Sequence, residues 1–193
     1  MSLLRAFIAI EIPPPIHTAI TRQTARLQAA LGPALVRWAP IENVHLTLKF
    51  LGDISVSNVE LLTQMLGVEA GRLAPFEIRV EGLGAFPDMR RPRVVWIGVH
   101  APAELEALQH SIEAAAARLG YPGEKRAFSP HLTIGRVKQH TQGEALQSIR
   151  SELEATQVGL LGTARITSLN LFKSELKPTG AVYTRLFSAP LAS

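Results

Sequence analysis

The sequence predicts an α+β protein built from two similar halves that pack as one bilobed body over residues 1–193. Segments of period-two alternation and helix-period stripes succeed one another along the chain. Their order is strand, helix, strand, helix, two strands, helix, strand, helix, two strands. His45-Leu46-Thr47-Leu48 is answered later by His131-Leu132-Thr133-Ile134. The elements around each copy follow in similar order, as an old internal duplication would leave them. No linker or low-complexity stretch separates the halves. With 47% hydrophobic and 19% charged residues, 193 residues suffice for a substantial core.

Leu4–Ile12 reads as a buried strand stopped by Pro13, Pro14 and Pro15. Ile16, Ile20, Leu27 and Leu31 then recur near helical spacing, with Gly32 as the helix end. Val44–Leu51 alternates, placing Val44, Leu46, Leu48 and Phe50 on one face and His45, Thr47 and Lys49 on the other. Ser57-Asn58-Val59-Glu60 has the pattern of a capping box, and a helix continues through Leu61, Leu62, Met65 and Leu66 toward Gly71. Phe76–Phe86 and Val94–His100 read as strands joined by a basic, turn-rich loop. Leu105, Leu108, Ile112 and Leu119 mark a third helix closed by Gly120 and Pro122. Phe128–Val137 is the second motif strand. Thr141-Gln142-Gly143-Glu144 has the pattern of another capping box, opening a helix with Leu146, Ile149 and Leu153 inward. Ala164–Phe172 and Ala181–Phe187 complete the chain as two strands, antiparallel across the turn at Lys177-Pro178-Thr179-Gly180.

The formal charge of +4 and a pI near 9.8 suit an anionic ligand without being diagnostic of one. The absence of Cys removes disulfides, thiolate metal sites and a Cys nucleophile. Leu3–Ile10 is too short for a membrane span and is interrupted by Arg5, so a cytoplasmic protein with no membrane association is expected.

On a strand, residues i and i+2 share a face, so each motif projects a His and a Thr together. Two such strands facing one cleft would bring two proton-transfer groups and two hydroxyl donors to one point. That set suits in-line cleavage of a phosphodiester without a metal. Two chance His-x-Thr matches arise in about one such chain in twenty, and requiring Leu between them lowers this to about one in a thousand. The motif histidines therefore stand apart from His17, His100, His110 and His140, which have no supporting constellation. No spacing of His, Asp and Glu suggests a metal site, and no cofactor is expected.

These residues resemble the two-histidine (2H) phosphoesterase superfamily, and within it the bacterial and archaeal RNA 2′,3′-cyclic phosphodiesterases, also called 2′-5′ RNA ligases. Arg5–Ile10 is similar to the family's opening strand. Arg37-Trp38, Pro40, Glu42-Asn43-Val44 and His45–Gly52 resemble its first signature, and Phe128–Arg136 its second. Leu171-Phe172-Lys173-Ser174 and Tyr183 resemble its closing strands. The resemblance implies two antiparallel sheets flanked by helices, related by a pseudo-twofold axis, with both motifs in a central cleft. It implies hydrolysis of a terminal 2′,3′-cyclic phosphate to a 2′-phosphate, and some ATP-independent 2′-5′ joining of tRNA halves. It also assigns His45 as proton donor and His131 as proton acceptor, roles the residues alone leave open.

Thr47 and Thr133 are candidates for the non-bridging phosphate oxygens, and Arg136 for charge balance. Simple alternation puts Arg136 on the core face. A bulge or strand end at Gly135 is needed to turn it into the cleft. Arg90, Arg91, Arg93, Lys125 and Arg126 are candidate backbone contacts for RNA. Trp38 and Phe128 are candidate base platforms, while Phe7 suits the core better. The expected partners are RNA ends or nucleotides carrying a 2′,3′-cyclic phosphate, with the protein a monomer. Two rival readings stay open: a 2H enzyme acting on a small cyclic nucleotide or an oligoadenylate, and a non-catalytic RNA-binding module on the same fold.

Overall fold

The computed structural model describes residues 3–124, 126–178 and 180–192. In chain order the elements are β1 (Leu3–Glu11), α1 (Pro14–Leu35), β2 (Val36–Trp38), β3 (His45–Ser55), α2 (Val59–Ala70), β4 (Phe76–Phe86), β5 (Val94–His100), α3 (Ala103–Arg118), β6 (His131–Val137), α4 (Gly143–Ala155), β7 (Leu160–Ile166), β8 (Ser168–Lys177) and β9 (Gly180–Pro190). The α+β class expected from the sequence is what the chain adopts.

Among the described residues, all nine strands form one continuous antiparallel sheet, ordered β7-β4-β5-β6-β3-β1-β8-β9, with β2 pairing to β6. Two halves are nonetheless distinct within it. β3 and β6 meet through a single residue pair, Leu46 opposite Leu132, both fully buried. From that junction each half runs outward through three further strands. Helices α2 and α3 cover the half containing β1, β3, β8 and β9, whereas α1 and α4 cover the other. The expected two sheets are thus two wings of one curled sheet.

Local chemistry accounts for the main boundaries. The proline run ends β1 and opens α1, whose inward stripe of Ile16, Ile20, Leu27 and Leu31 is buried as the periodicity requires. Gly32, at φ 54°, breaks the helix, and Pro33 follows it. Strands β4 and β5 occupy the ranges expected from alternation.

Four expectations need correction. Neither capping box forms: the Ser57 hydroxyl pairs with that of Ser55, and Thr141 donates to the Lys138 carbonyl instead of capping α4. The expected strand Ala164–Phe172 is two strands, β7 and β8, because the chain crosses between wings at Thr167, whose carbonyl accepts from the Leu191 amide. The short β2 was not foreseen. The second motif strand begins at His131, three residues later than expected, since Pro130 has no amide to donate to a ladder. Among the described residues, no helix is long and apolar enough to cross a membrane.

Candidate active site

The two motif strands share one irregularity that shapes the cleft. Along β3, Thr47 pairs with Ala9 and Lys49 with Ile8, leaving Leu48 as an extra, bulged residue. Along β6, Thr133 pairs with Trp96 and Gly135 with Val95, leaving Ile134 extra. A bulge resets the alternation, so the two residues after each Thr both turn inward and the third returns to the cleft. Leu48 and Lys49 are therefore buried, as are Ile134 and Gly135.

Phe50 and Arg136 come back to the cleft face at equivalent positions of the two wings. This corrects the expectation for β3, where Lys49 was to share the His45 face and Phe50 the core. It also supplies the bulge that Arg136 required. Phe50 is 58% exposed, high for a phenylalanine, and lines the cleft. The buried Lys49 ammonium donates to Glu113 and to the Pro122 carbonyl, both at 2.8 Å. Glu113 also accepts from the Glu124 amide, so this pair ties the first motif strand to the segment leading toward the second.

Extending the Leu46–Leu132 register by one residue each way sets His45 opposite Thr133, and Thr47 opposite His131. The histidines then lie on a diagonal, about 7–8 Å apart at the backbone. Each imidazole is held in the same way. Nδ1 of His45 donates to the Asn43 carbonyl at 2.7 Å, and Nδ1 of His131 donates to the Ser129 carbonyl at 2.7 Å. A carbonyl oxygen only accepts, so Nδ1 carries the hydrogen and Nε2 is left for chemistry.

The surroundings of the two rings differ. Phe7 stacks on His45 with centroids 4.7 Å apart, and Tyr183 meets it edge-on at 5.3 Å. Burial lowers His45 to about 4, the Asn43 carbonyl offsetting only part of the loss. His131 meets Phe86 edge-on at 4.8 Å. Burial lowers its pKa too, the Ser129 carbonyl opposes, and the positive charge of Arg136 lowers it further. Both rings are neutral at pH 7 before any anion arrives.

A cavity of about 550 Å³ opens over His45, Thr47, Thr133 and Arg136, bounded by Arg37, Trp38 and the β8–β9 hairpin. Its lining includes Arg5, Arg37, Arg136 and Lys177 and, among the described residues, no carboxylate, so its wall is electropositive. Trp38 stands in its wall. Phe7, expected in the core, is buried beneath the cleft against Phe172. Phe128 lies elsewhere, beside Val99, Leu105 and Pro130, and packs against the core. Arg90, Arg91 and Arg93 are exposed on the β4–β5 loop and do not line the cavity, and the Arg90 and Arg91 amides are taken up by Asp88. Arg126 is exposed outside the cavity, and Lys125 lies outside the described residues. Of the other histidines, His17 bonds the Val44 carbonyl and His100 sits 3.4 Å from Glu81.

Sequence reasoning missed Arg37, Phe50 and Asn170 as cleft-face residues. Asn170 pairs with Ala9 in the row that holds Thr47, and its amide is buried with no partner among the described residues. Among those same residues, no three His, Cys, Asp or Glu side chains gather as a metal ligand set.

A family model described as the 2′-5′ RNA ligase superfamily matches residues 12–177. A Methanothermobacter thermautotrophicus protein named RNA 2′,3′-cyclic phosphodiesterase is 34% identical over 94% of this chain and 95% of its own. An Archaeoglobus fulgidus protein of the same name is 32% identical over 95% of this chain and 98% of its own. The crystal structure of Escherichia coli LigT complexed with 3′-AMP has a TM-score of 0.73 and 26% identity, with all of both chains covered. A Thermus thermophilus protein reaches a TM-score of 0.78 at 28% identity, covering 97% of this chain and 98% of that one. On sequence and architecture together, the chain belongs to the 2′-5′ RNA ligase superfamily.

Proposed function

We propose that this protein is an RNA 2′,3′-cyclic phosphodiesterase that opens a terminal cyclic phosphate to a 2′-phosphate. The observation that carries this is the crossed quartet of His45 opposite Thr133 and Thr47 opposite His131, each histidine with Nδ1 tied to a carbonyl, beside a basic cavity that His45, Thr47 and Thr133 line. Relatives at 30–35% identity that bear this activity in their names support the substrate class.

In the proposed reaction, Nε2 of His131 takes a proton from water as the water oxygen attacks phosphorus. The P–O3′ bond breaks, and Nε2–H of His45 gives its proton to the departing 3′ oxygen. Thr47 and Thr133 donate to the non-bridging oxygens, and Arg136 offsets the charge that builds on them. Both imidazoles are depressed in the empty cleft. A bound phosphate anion favours the charged form of a nearby imidazole, so substrate itself helps to load the proton that His45 must deliver. Burial chiefly, and the charge of Arg136 in addition, favour the neutral, basic form of His131. A 5′-hydroxyl of a second RNA in place of water makes a 2′-5′ linkage by the same transfers, without ATP.

The test is a short RNA ending in a 2′,3′-cyclic phosphate, with the product identified. His45→Ala and His131→Ala should each lower turnover by several orders of magnitude, because donor and acceptor act in one transition state. Near-normal turnover by either variant would sink the chemistry. A 3′-phosphate product would reverse the assignment of the broken bond while leaving the two-histidine chemistry standing.

A further inference from the structure

The strands β2 and β6 place Arg37 directly opposite Arg136. Directly paired residues of an antiparallel ladder project to the same face, here the cleft face that both line. Like charges so paired repel, and neither guanidinium has a carboxylate partner among the described residues. An anion between or above them relieves that repulsion. One reacting phosphate does not use both in the same way. Arg136 follows Thr133 on β6 and acts on His131, so it belongs to the reacting centre. Arg37 reaches the cleft from the other side, on the strand that continues the His45 edge.

On the regular partner strand β5 the Thr133 level (Trp96) and the Arg136 level (Val94) are two residues apart, the bulged Ile134 adding no step. The His45–Thr133 and Arg37–Arg136 levels therefore lie on the order of 7 Å apart at about 3.3 Å per residue. That step is close to one nucleoside. We propose that Arg37 binds a second phosphate of the substrate, the one on the 5′ side of the terminal nucleoside, while Arg136 stays with the reacting phosphate. The proposal rests on reading the quartet as the phosphate site. It narrows the substrate to ends whose last nucleoside carries phosphate on both sides, such as a chain end or a 5′-phosphorylated cyclic nucleotide, over a bare nucleoside 2′,3′-cyclic phosphate.

Calorimetric titration with adenosine 2′,5′-bisphosphate and with adenosine 2′-monophosphate tests this without turnover. The intact protein should bind the bisphosphate at least about tenfold more tightly, as a charge-assisted guanidinium–phosphate contact allows. Arg37→Gln should collapse that ratio to within about twofold, and Arg37→Lys should keep part of it, since lysine preserves charge but not the fork. A ratio near one in the intact protein overturns the proposal. So does a ratio that survives Arg37→Gln, because the 5′-phosphate then sits elsewhere. Equal losses for both ligands place Arg37 on the reacting phosphate and overturn it as well. An Arg37-dependent preference in a protein that opens no cyclic phosphate would leave this subsite standing and refute the proposed activity instead.

Discussion

Acidification should cost this protein stability through His45 in particular. The ring's folded-state pKa is about 4, against an ordinary 6.5. Between those values the unfolded chain binds a proton that the folded protein refuses, so stability falls as the pH drops through that window. The contribution is intact above 6.5 and fully lost below about 4. The full gap amounts to about 3.4 kcal/mol at about 1.36 kcal/mol per pH unit. His45 keeps some solvent contact, so about 2–3 kcal/mol is the expected loss. The assay is urea denaturation at pH 7, 6, 5 and 4 on the intact protein and on His45→Gln, which removes the titration but keeps a polar side chain. The two curves should separate by that amount across the window, and two-dimensional NMR should show the His45 ring titrating near 4. Saturating adenosine 2′-monophosphate should move the titration back upward, because the anion favours the charged ring. A ring that titrates near 6.5 in the free protein, or parallel stability curves, would refute the argument that Phe7 and its neighbours desolvate it.

Thr47→Ala and Thr133→Ala should each lower turnover about tenfold to a thousandfold, less than loss of either His, as single donors to the phosphate oxygens do. Lys49→Met and Glu113→Gln should each cost about 3–5 kcal/mol in urea denaturation by stranding a buried charge, and the double variant should recover part of the loss. Gly135→Ala should cost about 1–3 kcal/mol, because the new Cβ would sit 2.8 Å from the Trp38 ring and 2.9 Å from Val36 on the partner strand. Hydrolysis should persist in excess chelator with divalent ions removed, and activity restored by one added metal would show the proposed mechanism to be wrong.

Much of this arrangement was legible because alternation and burial agree where a strand is regular. Leu46 and Leu132 went to the core and His45, Thr47, His131 and Thr133 to the other face, as period two requires. What escaped was encoded between strands. The bulge that exposes Phe50 exists only in the register of β3 against β1, so no window along β3 reveals it. Arg37 sits on a three-residue strand, too short for any period to register. Phe128 was drawn to the site by its place three residues before His131, but the chain is not yet on the sheet there and the ring packs against the core instead. The break at Thr167 leaves only a one-residue change of phase, from Ala164 and Ile166 to Leu169 and Leu171, which reads equally well as an irregularity within one strand.

The wiring of the helices has a mechanical consequence. β1 belongs to one wing, yet α1, which follows it directly, covers the other. The chain leaves β5 in the second wing, lays α3 against β3 in the first, and returns to the second as β6. The walls of the cleft are laced together by many passages of backbone rather than joined by one strap. No short segment can act as the axle of an opening motion, since turning one wing drags helices packed on the other. Admission to the cleft is therefore decided by a shape that exists before any ligand arrives, and the first wing cut free of the chain would lose α3, which is strung between two strands of the second.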